Sequence, residues 1–367
     1  MADLLHKIAL SRLKGITTAF AGQLVEMFGS EEELFALPER ALYARLGTSV
    51  RSLSDQARSE AMAQAVEEAE FMAAHSVRGL YYTDADYPRR LLQCADAPLM
   101  LYGVGSADLN APHVISVIGT RNATVYGVHF IDTLIDRLSE ALPGLLVVSG
   151  LALGCDVASH KAALRNGVPT AGVVAHGLDT LYPAENRLTA RKMAAQGGMI
   201  VTDYIHGTRP HRGNFLARNR IVAGLSDATI VVESAAERGG ALHTARLAFH
   251  YDREVFALPG RTSDHYSGGC NKLIRSNTAH LIESAADLME TMGWEARTDG
   301  PAETPLFPEL TAEQQAVYDY ISAHGEASVN TLAASLAIPA GKLMAALVDM
   351  EFGNLLLALP GARYRLA

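Results

Sequence analysis

Cysteine is scarce in this chain. Three occur in 367 residues, at Cys94, Cys155 and Cys270, far apart and never as C-x-x-C. That spacing supports neither a disulfide framework nor a thiolate zinc site, and it suits a reducing compartment. Long apolar runs are missing too. No uninterrupted stretch reaches the roughly 18 residues a membrane helix needs. The N-terminal MADLLHKIALSRLKG is amphipathic and lacks both the apolar region and the small-residue cleavage site of a signal peptide. The chain is therefore expected to be soluble and cytoplasmic, with no membrane partner. Two glycine signatures are absent as well. No G-x-G-x-x-G follows the first Rossmann-like strand, which argues against a nicotinamide oxidoreductase, and no G-K-[ST] stands at P-loop spacing, which argues against a Walker-type nucleotidase. Positive charge is the minority: 31 Lys and Arg against 40 Asp and Glu, a formal net charge of -9. A nucleic-acid site on such a chain has to be a local patch rather than a global field.

The length points to two or three domains, and 49% hydrophobic residues with 19% charged ones can bury a sizeable core. Residues 1–75 carry apolar residues at helical spacing and read as a helical domain, punctuated at Gly15 and Gly29. Its KGITTAF segment has the look of a helix-hairpin-helix unit, whose amides can hold a phosphate; a plain helical packing domain is the preferred reading. Residues 76–296 change period. A short helix and the apolar strand LMLYG come first. VISVIG, LLVVSG, TAGVVAHG, GMIVTDY, ATIVVES and EVFALPG then alternate with helical stretches. Continuous apolar strands alternating with helices predict an α/β fold, a Rossmann-like parallel sheet covered on both faces. RTDGPAETPLFPEL, residues 297–310, reads as a linker. Residues 311–367 promise three helices and a hairpin turning at Pro360-Gly361, the winged-helix plan.

A parallel open sheet binds ligands at the carboxyl ends of its strands, so those ends were read for chemistry. After the first Rossmann strand come Gly119, Thr120 and Arg121 before a helix, a turn suited to an anion. After the second, Cys155, Asp156 and His160 stand close together in GCDVASH. A nucleophile pair usually joins separate segments, so packing and capping is the preferred reading. GLDTLYPAENRL offers a turn into a helix and no evident chemistry. Residues 205–225 hold four arginines, Arg209, Arg212, Arg218 and Arg220, and no acid. A helix over about 214–223 would put Phe215 and Arg218 on one face, with guanidinium groups for phosphates and a ring for a base. The competing reading makes Phe215 core and ties the arginines to acids elsewhere. Arg238, Gly239, Gly240 and Thr244 form a further Gly-bearing turn after a strand that ends at Glu233, placed to bond a ribose hydroxyl. Gly268-Gly269 with Asn271, Lys272 and Arg275 point to the same crevice. Several anion turns along one sheet edge suggest an extended polyanion more than a mononucleotide.

Taken in order, VIGTRNATVYG, SGLALGCDVASHKAAL, GLDTLYPAENRL, NFLARNRIVAGLS, RGGALHTARLA, REVFALPG and GGCNKLIRSNTAHLI resemble the DprA family, also called Smf. DYPRRLLQCADAPLMLYGVG before them and the winged-helix tail after them extend the likeness to nearly the full chain. The resemblance implies single-stranded DNA binding on the Rossmann-like domain, homodimers, and loading of the RecA recombinase during natural transformation. It implies no catalytic residue, no cofactor and no metal. It places the phosphate-binding Arg at Arg121, a basic residue at Arg212 three before a base-contacting Phe215, and Arg218-Asn219-Arg220 after it. Three departures stand out: Gly154-Cys155-Asp156 replaces G-I-D, Arg238-Gly239-Gly240-Ala241 replaces the usual S-G-[SA]-L, and Ser276-Asn277 interrupts R-E-G-A. Whether Arg218 or Arg220 meets DNA or an internal acid stays open at this level. The alternative is a nucleotide-metabolising enzyme of the related phosphoribohydrolase fold. It would need P-G-G-x-G-T-x-x-E, where this chain has RGGALHTAR with no Glu after it. In the tail, helix 340–351 sets Lys342 against Asp349 and Glu351, a poor face for reading a DNA groove and a better one for protein contact.

Overall fold

The computed structural model describes residues 2–236, 239–296, 310–352, 355–359 and 361–366. They fall into two compact units, Met1–Arg297 and Thr298–Ala367. Apart from Leu310, the expected linker lies outside the described residues, as do Arg238 and Pro360.

The larger unit is built on a nine-stranded sheet: β1 (Arg78–Tyr81), β2 (Met100–Gly105), β3 (His113–Ile118), β4 (Leu145–Ser149), β5 (Thr170–Val173), β6 (Met199–Thr202), β7 (Ala228–Val231), β8 (Glu254–Ala257) and β9 (His280–Leu281). Their spatial order is β1-β2-β6-β5-β4-β3-β7-β8-β9. Strands β3 to β9 run parallel, while β2 is antiparallel to both β1 and β6. The sheet is thus the expected parallel one with an antiparallel edge that the sequence reading did not include.

Side chains alternate across the sheet, as a strand requires. In β3, Val114 and Ile118 enter one core, and Ile115 and Val117 the other. The first core is closed by the helices Arg212–Leu225, Gly240–His250 and Gly268–Arg275, through residues such as Ile221, Ala245 and Leu273. The second is closed by Val125–Ala141 and Ala285–Met292, through Ile131, Leu134, Ile135 and Leu288. Both faces being covered explains why the strands read as continuous apolar runs.

The N-terminal helices share a third core with the antiparallel edge, where Leu10, Leu24 and Ala65 meet Tyr81, Met100 and Tyr102. Two buried polar links pin them there. Tyr81 donates its hydroxyl proton to Glu31 (2.8 Å), and Glu68, itself buried, accepts from the backbone N–H of His206 (2.8 Å) and contacts its Nδ1. In KGITTAF, the Thr17 hydroxyl accepts from the Phe20 amide and so caps the helix Thr18–Phe28.

The smaller unit has helices Ala312–His324, Val329–Leu336 and Ala340–Phe352, and strands β10 (Glu326–Ser328), β11 (Leu356–Leu359) and β12 (Arg363–Leu366) in the order β10-β12-β11. Val317, Ile321, Leu332, Leu343, Leu347 and Tyr364 form its core. The hairpin expected here is observed, joined by a third short strand. Lys342 is held by Glu313 at 3.1 Å, so the one cation of helix 340–352 is already neutralised.

Candidate nucleic-acid interface

From β3 the chain steps outward through β4, β5 and β6, then returns to lay β7 on the other flank of β3. The turns that follow β3 and β7 therefore diverge. The crevice between them is the position where an open α/β sheet receives ligands. It is a cleft of about 520 Å³, lined by residues of the turns after β3, β4 and β7 and by the start of the helix Arg212–Leu225.

Arg121 and Phe215 face one another across this cleft. The Arg121 guanidinium carbon lies 5.8 Å from the Phe215 ring centroid, within cation–π range. The turn that presents Arg121 is fixed by backbone. The Thr120 amide donates to the Glu233 carbonyl (2.7 Å), and the Thr120 carbonyl accepts from the Cys155 amide (3.1 Å). Gly154 supports it at φ +77°, where a Cβ would have no room against the backbone of Thr120 and Arg121. Since the Thr120 amide is engaged, the guanidinium is the donor this turn offers an anion. His211 caps the helix Arg212–Leu225 by accepting from the Gly213 amide (3.1 Å). Arg212 follows on the rim, exposed. Neither Arg121 nor Arg212 has a carboxylate partner among the described residues.

The helix Gly240–His250 starts at the opposite wall. Gly239 is its N-cap and supplies no side-chain bond, so the first-turn amides face the cleft uncapped. Thr244 is buried and donates to the Gly240 carbonyl (3.1 Å), and Asn219 reaches the same carbonyl at 3.4 Å. These two residues line the cleft and also hold its wall in shape.

Of the expected site residues, the cleft gathers Gly119, Thr120, Arg121, Arg212, Phe215, Arg218, Asn219, Gly239, Gly240 and Thr244. It does not gather Arg220, Asn271 or Lys272, and Arg238 lies outside the described residues. Arg220 is spent on Asp203 at 2.7 Å. That ion pair holds its guanidinium charged against the opposing effect of burial. Asn271 bonds both backbone groups of Gly260, accepting at 3.2 Å and donating at 2.8 Å, and so braces the turn after β8. Lys272 is exposed elsewhere on that helix. Glu233 does not await a ribose. It is buried and accepts from the Thr124 amide (2.8 Å) and hydroxyl (2.5 Å).

Arg218 forms the cleft floor, 4% exposed. Its guanidinium donates to the Val173 carbonyl and lies under Gly150, which has no space for a side chain. Burial disfavours its charge, and nearby Asp156 favours it; in return Arg218 opposes the rise that burial imposes on the Asp156 carboxyl.

Three residues join the cleft region without having been singled out. Tyr266 lines it and accepts a bond from Asn122 (2.9 Å). Leu216 lines it from the helix that carries Phe215. Tyr182, 47% exposed, stands 5.8 Å ring to ring from Phe215. GLDTLYPAENRL thereby acquires a place beside the cleft.

Cys155 and His160 do not form a catalytic pair. Cys155 packs under Gly119, its thiol pushed up by burial. His160 is fully buried with Nδ1 2.7 Å from the Thr170 hydroxyl. That hydroxyl gives its one proton to the Val147 carbonyl (2.7 Å), so it accepts from His160 and the ring is the neutral Nδ1–H tautomer. Burial pushes the His160 pKa down to about 3. The unfolded ring takes up a proton below about pH 6.5 while the folded one stays neutral, so this histidine costs stability as pH falls through that value. Between pH 7 and pH 5 its share is about 2 kcal/mol. Urea unfolding of the wild type and of His160→Gln at both pH values should show the acid loss shrink by that amount in the variant. An equal acid loss in both would contradict it.

Residues 78–293 match the sequence profile of DNA recombination-mediator protein A, and residues 301–362 that of the DprA winged helix domain. The chain belongs to the DprA family. Protein Smf of Escherichia coli is 34% identical over 299 residues, 76% of this chain and 75% of its own. Among solved structures, DprA of Streptococcus pneumoniae superposes with a TM-score of 0.62 at 30% identity, over 78% of this chain and 96% of that one. DNA processing protein A of Helicobacter pylori gives 0.52 at 33% identity, over 59% and 95%. The latter structure was described for its single-stranded DNA binding mode. No described helix of this DprA-family chain is long and apolar enough to cross a membrane.

Proposed function

We propose that this DprA-family protein binds single-stranded DNA in the cleft between the turns after β3 and β7. It does so as a recombination mediator, working as a homodimer that protects incoming strands and loads RecA onto them during natural transformation. The observation that carries the reading is the unpaired Arg121 guanidinium set 5.8 Å from the accessible ring of Phe215. A cation for a phosphate beside a ring for a base is the minimal unit of sequence-tolerant single-strand binding. The free Arg212 and the uncapped start of the helix Gly240–His250 add attraction for a polyanion along the same cleft. The H. pylori protein's single-stranded DNA binding supports the same ligand class.

In this reading the cleft binds and performs no chemical step. A phosphoribohydrolase would need a carboxylate presented at the Gly239-Gly240 turn. The described residues of RGGALHTAR supply none, and Glu233 is committed to Thr124.

The test is a fluorescence-anisotropy titration with oligothymidylate and with a duplex of equal length. The single strand should bind far more tightly. Phe215→Ala should weaken it about tenfold, the loss of one stacked base. Equal affinity for both DNA forms, or an unaffected Phe215→Ala, would overturn the assignment. Loading is read separately, as RecA filament formation on strands already coated with single-strand-binding protein.

A further inference from the structure

A second cavity of about 340 Å³ adjoins the first. It runs between the helices Val125–Ala141 and Cys155–Arg165, and Arg121 lines both cavities. Its other polar walls are Asn122, Asp132, Lys161 and Arg165. The charges are unequal. Arg165 and Asp132 form an ion pair and cancel. Lys161 is exposed and has no carboxylate partner among the described residues, so the groove keeps the uncancelled charges of Arg121 and Lys161. It has no exposed aromatic side chain among its walls. A groove with cations and no ring suits backbone phosphates and not bases.

We propose that this groove is a second subsite for the same single strand, and that Lys161 binds a phosphate there. This rests on the reading of the main cleft as a DNA site. Arg121 stands at the divide. A strand with one base against Phe215 passes its phosphate by Arg121 and continues over Asn122 to Lys161. Gly154 is also part of the groove wall, and its backbone packs directly against the turn that carries Arg121. Lys161 lies in the SHKAAL segment, one residue after His160.

Two oligothymidylates separate this subsite from the cleft: one of about 6 nucleotides, filling a single site, and one of about 20. Lys161→Gln should weaken the longer oligomer about three- to tenfold at low salt and flatten its log–log salt slope by about 0.7, with little change for the shorter. Lys161→Arg should bind the longer oligomer like the wild type. Arg121→Ala should weaken both. Lys161→Gln with wild-type affinity for the longer oligomer overturns the proposal, as does an equal loss on both lengths, which would mark Lys161 as a general field charge. Wild-type protein that binds neither oligomer overturns the main-cleft reading and this one with it.

Discussion

Replacing Arg121 and Arg212 together by Ala is expected to weaken binding of a thymidine oligomer by about a hundredfold or more. A hydrogen bond to a charged group contributes about 1.5–3 kcal/mol, so two lost phosphate contacts amount to about 3–6 kcal/mol. The salt dependence should flatten in step, by about 1.4 in the log–log slope. The fold should not suffer. Both side chains are exposed and make no ion pair among the described residues, and the Arg121 turn is held by the Thr120 backbone. Anisotropy titrations at several salt concentrations, with unfolding curves alongside, check both halves. Retained affinity in the double variant would remove the cleft from consideration.

The opposite outcome is expected at Arg218. Arg218→Ala should destabilise the larger unit by about 2–5 kcal/mol, the scale of truncating a large buried side chain, and it also removes the cation that favours the Asp156 carboxylate. Asp156 is 8% exposed, and the charge of Arg218 favours its ionised form without an ion pair between the two side chains. The Val173 carbonyl would lose its donor as well, and the space under Gly150 would empty. Arg218→Met, which keeps much of the space under Gly150 filled, should lose less than Arg218→Ala. Trp294, the single tryptophan, packs against the second core and beside His113 at 4.7 Å, so its fluorescence reports this unit during urea unfolding. A loss below about 1 kcal/mol, the scale of an exposed side chain, would show that Arg218 does not support the cleft floor.

The arginines of the helix Arg212–Leu225 mark where the sequence was legible and where it was not. Phe215 and Arg218 share a helical face, as their spacing of three indicates, but spacing is silent on how deep that face sits. Once the helix Arg212–Leu225 lies on the sheet, Arg212 reaches the rim, Arg218 reaches the floor and Arg220 turns to Asp203. The six apolar strands could be read because burial on both faces leaves few polar interruptions. Strand direction leaves no such trace. LMLYG was visible as a strand, yet its antiparallel pairing with β6 was not, and β9, with two residues, was too short to show a period. Tyr182 and Tyr266 sit in irregular loops, where periodicity gives no handle. Asn271 and Lys272 lie outside the cleft for a different reason. Gly268-Gly269 resembles an anion turn, but Gly269 is pressed against the Ser234 and Ala235 carbonyls, so that turn packs against protein instead of receiving a ligand.

The three cysteines, first noted for their scarcity, acquire a practical meaning from where they lie. All are buried in the larger unit, and burial holds the Cys94 thiol up to about 11, Cys270 up to about 12 and Cys155 higher still. The thiolate is the reactive form, so none is available at neutral pH while the sheet is closed. A maleimide adduct on this chain would therefore time-stamp an opening of the interior, and the chain carries three internal clocks for its own breathing without a single engineered label.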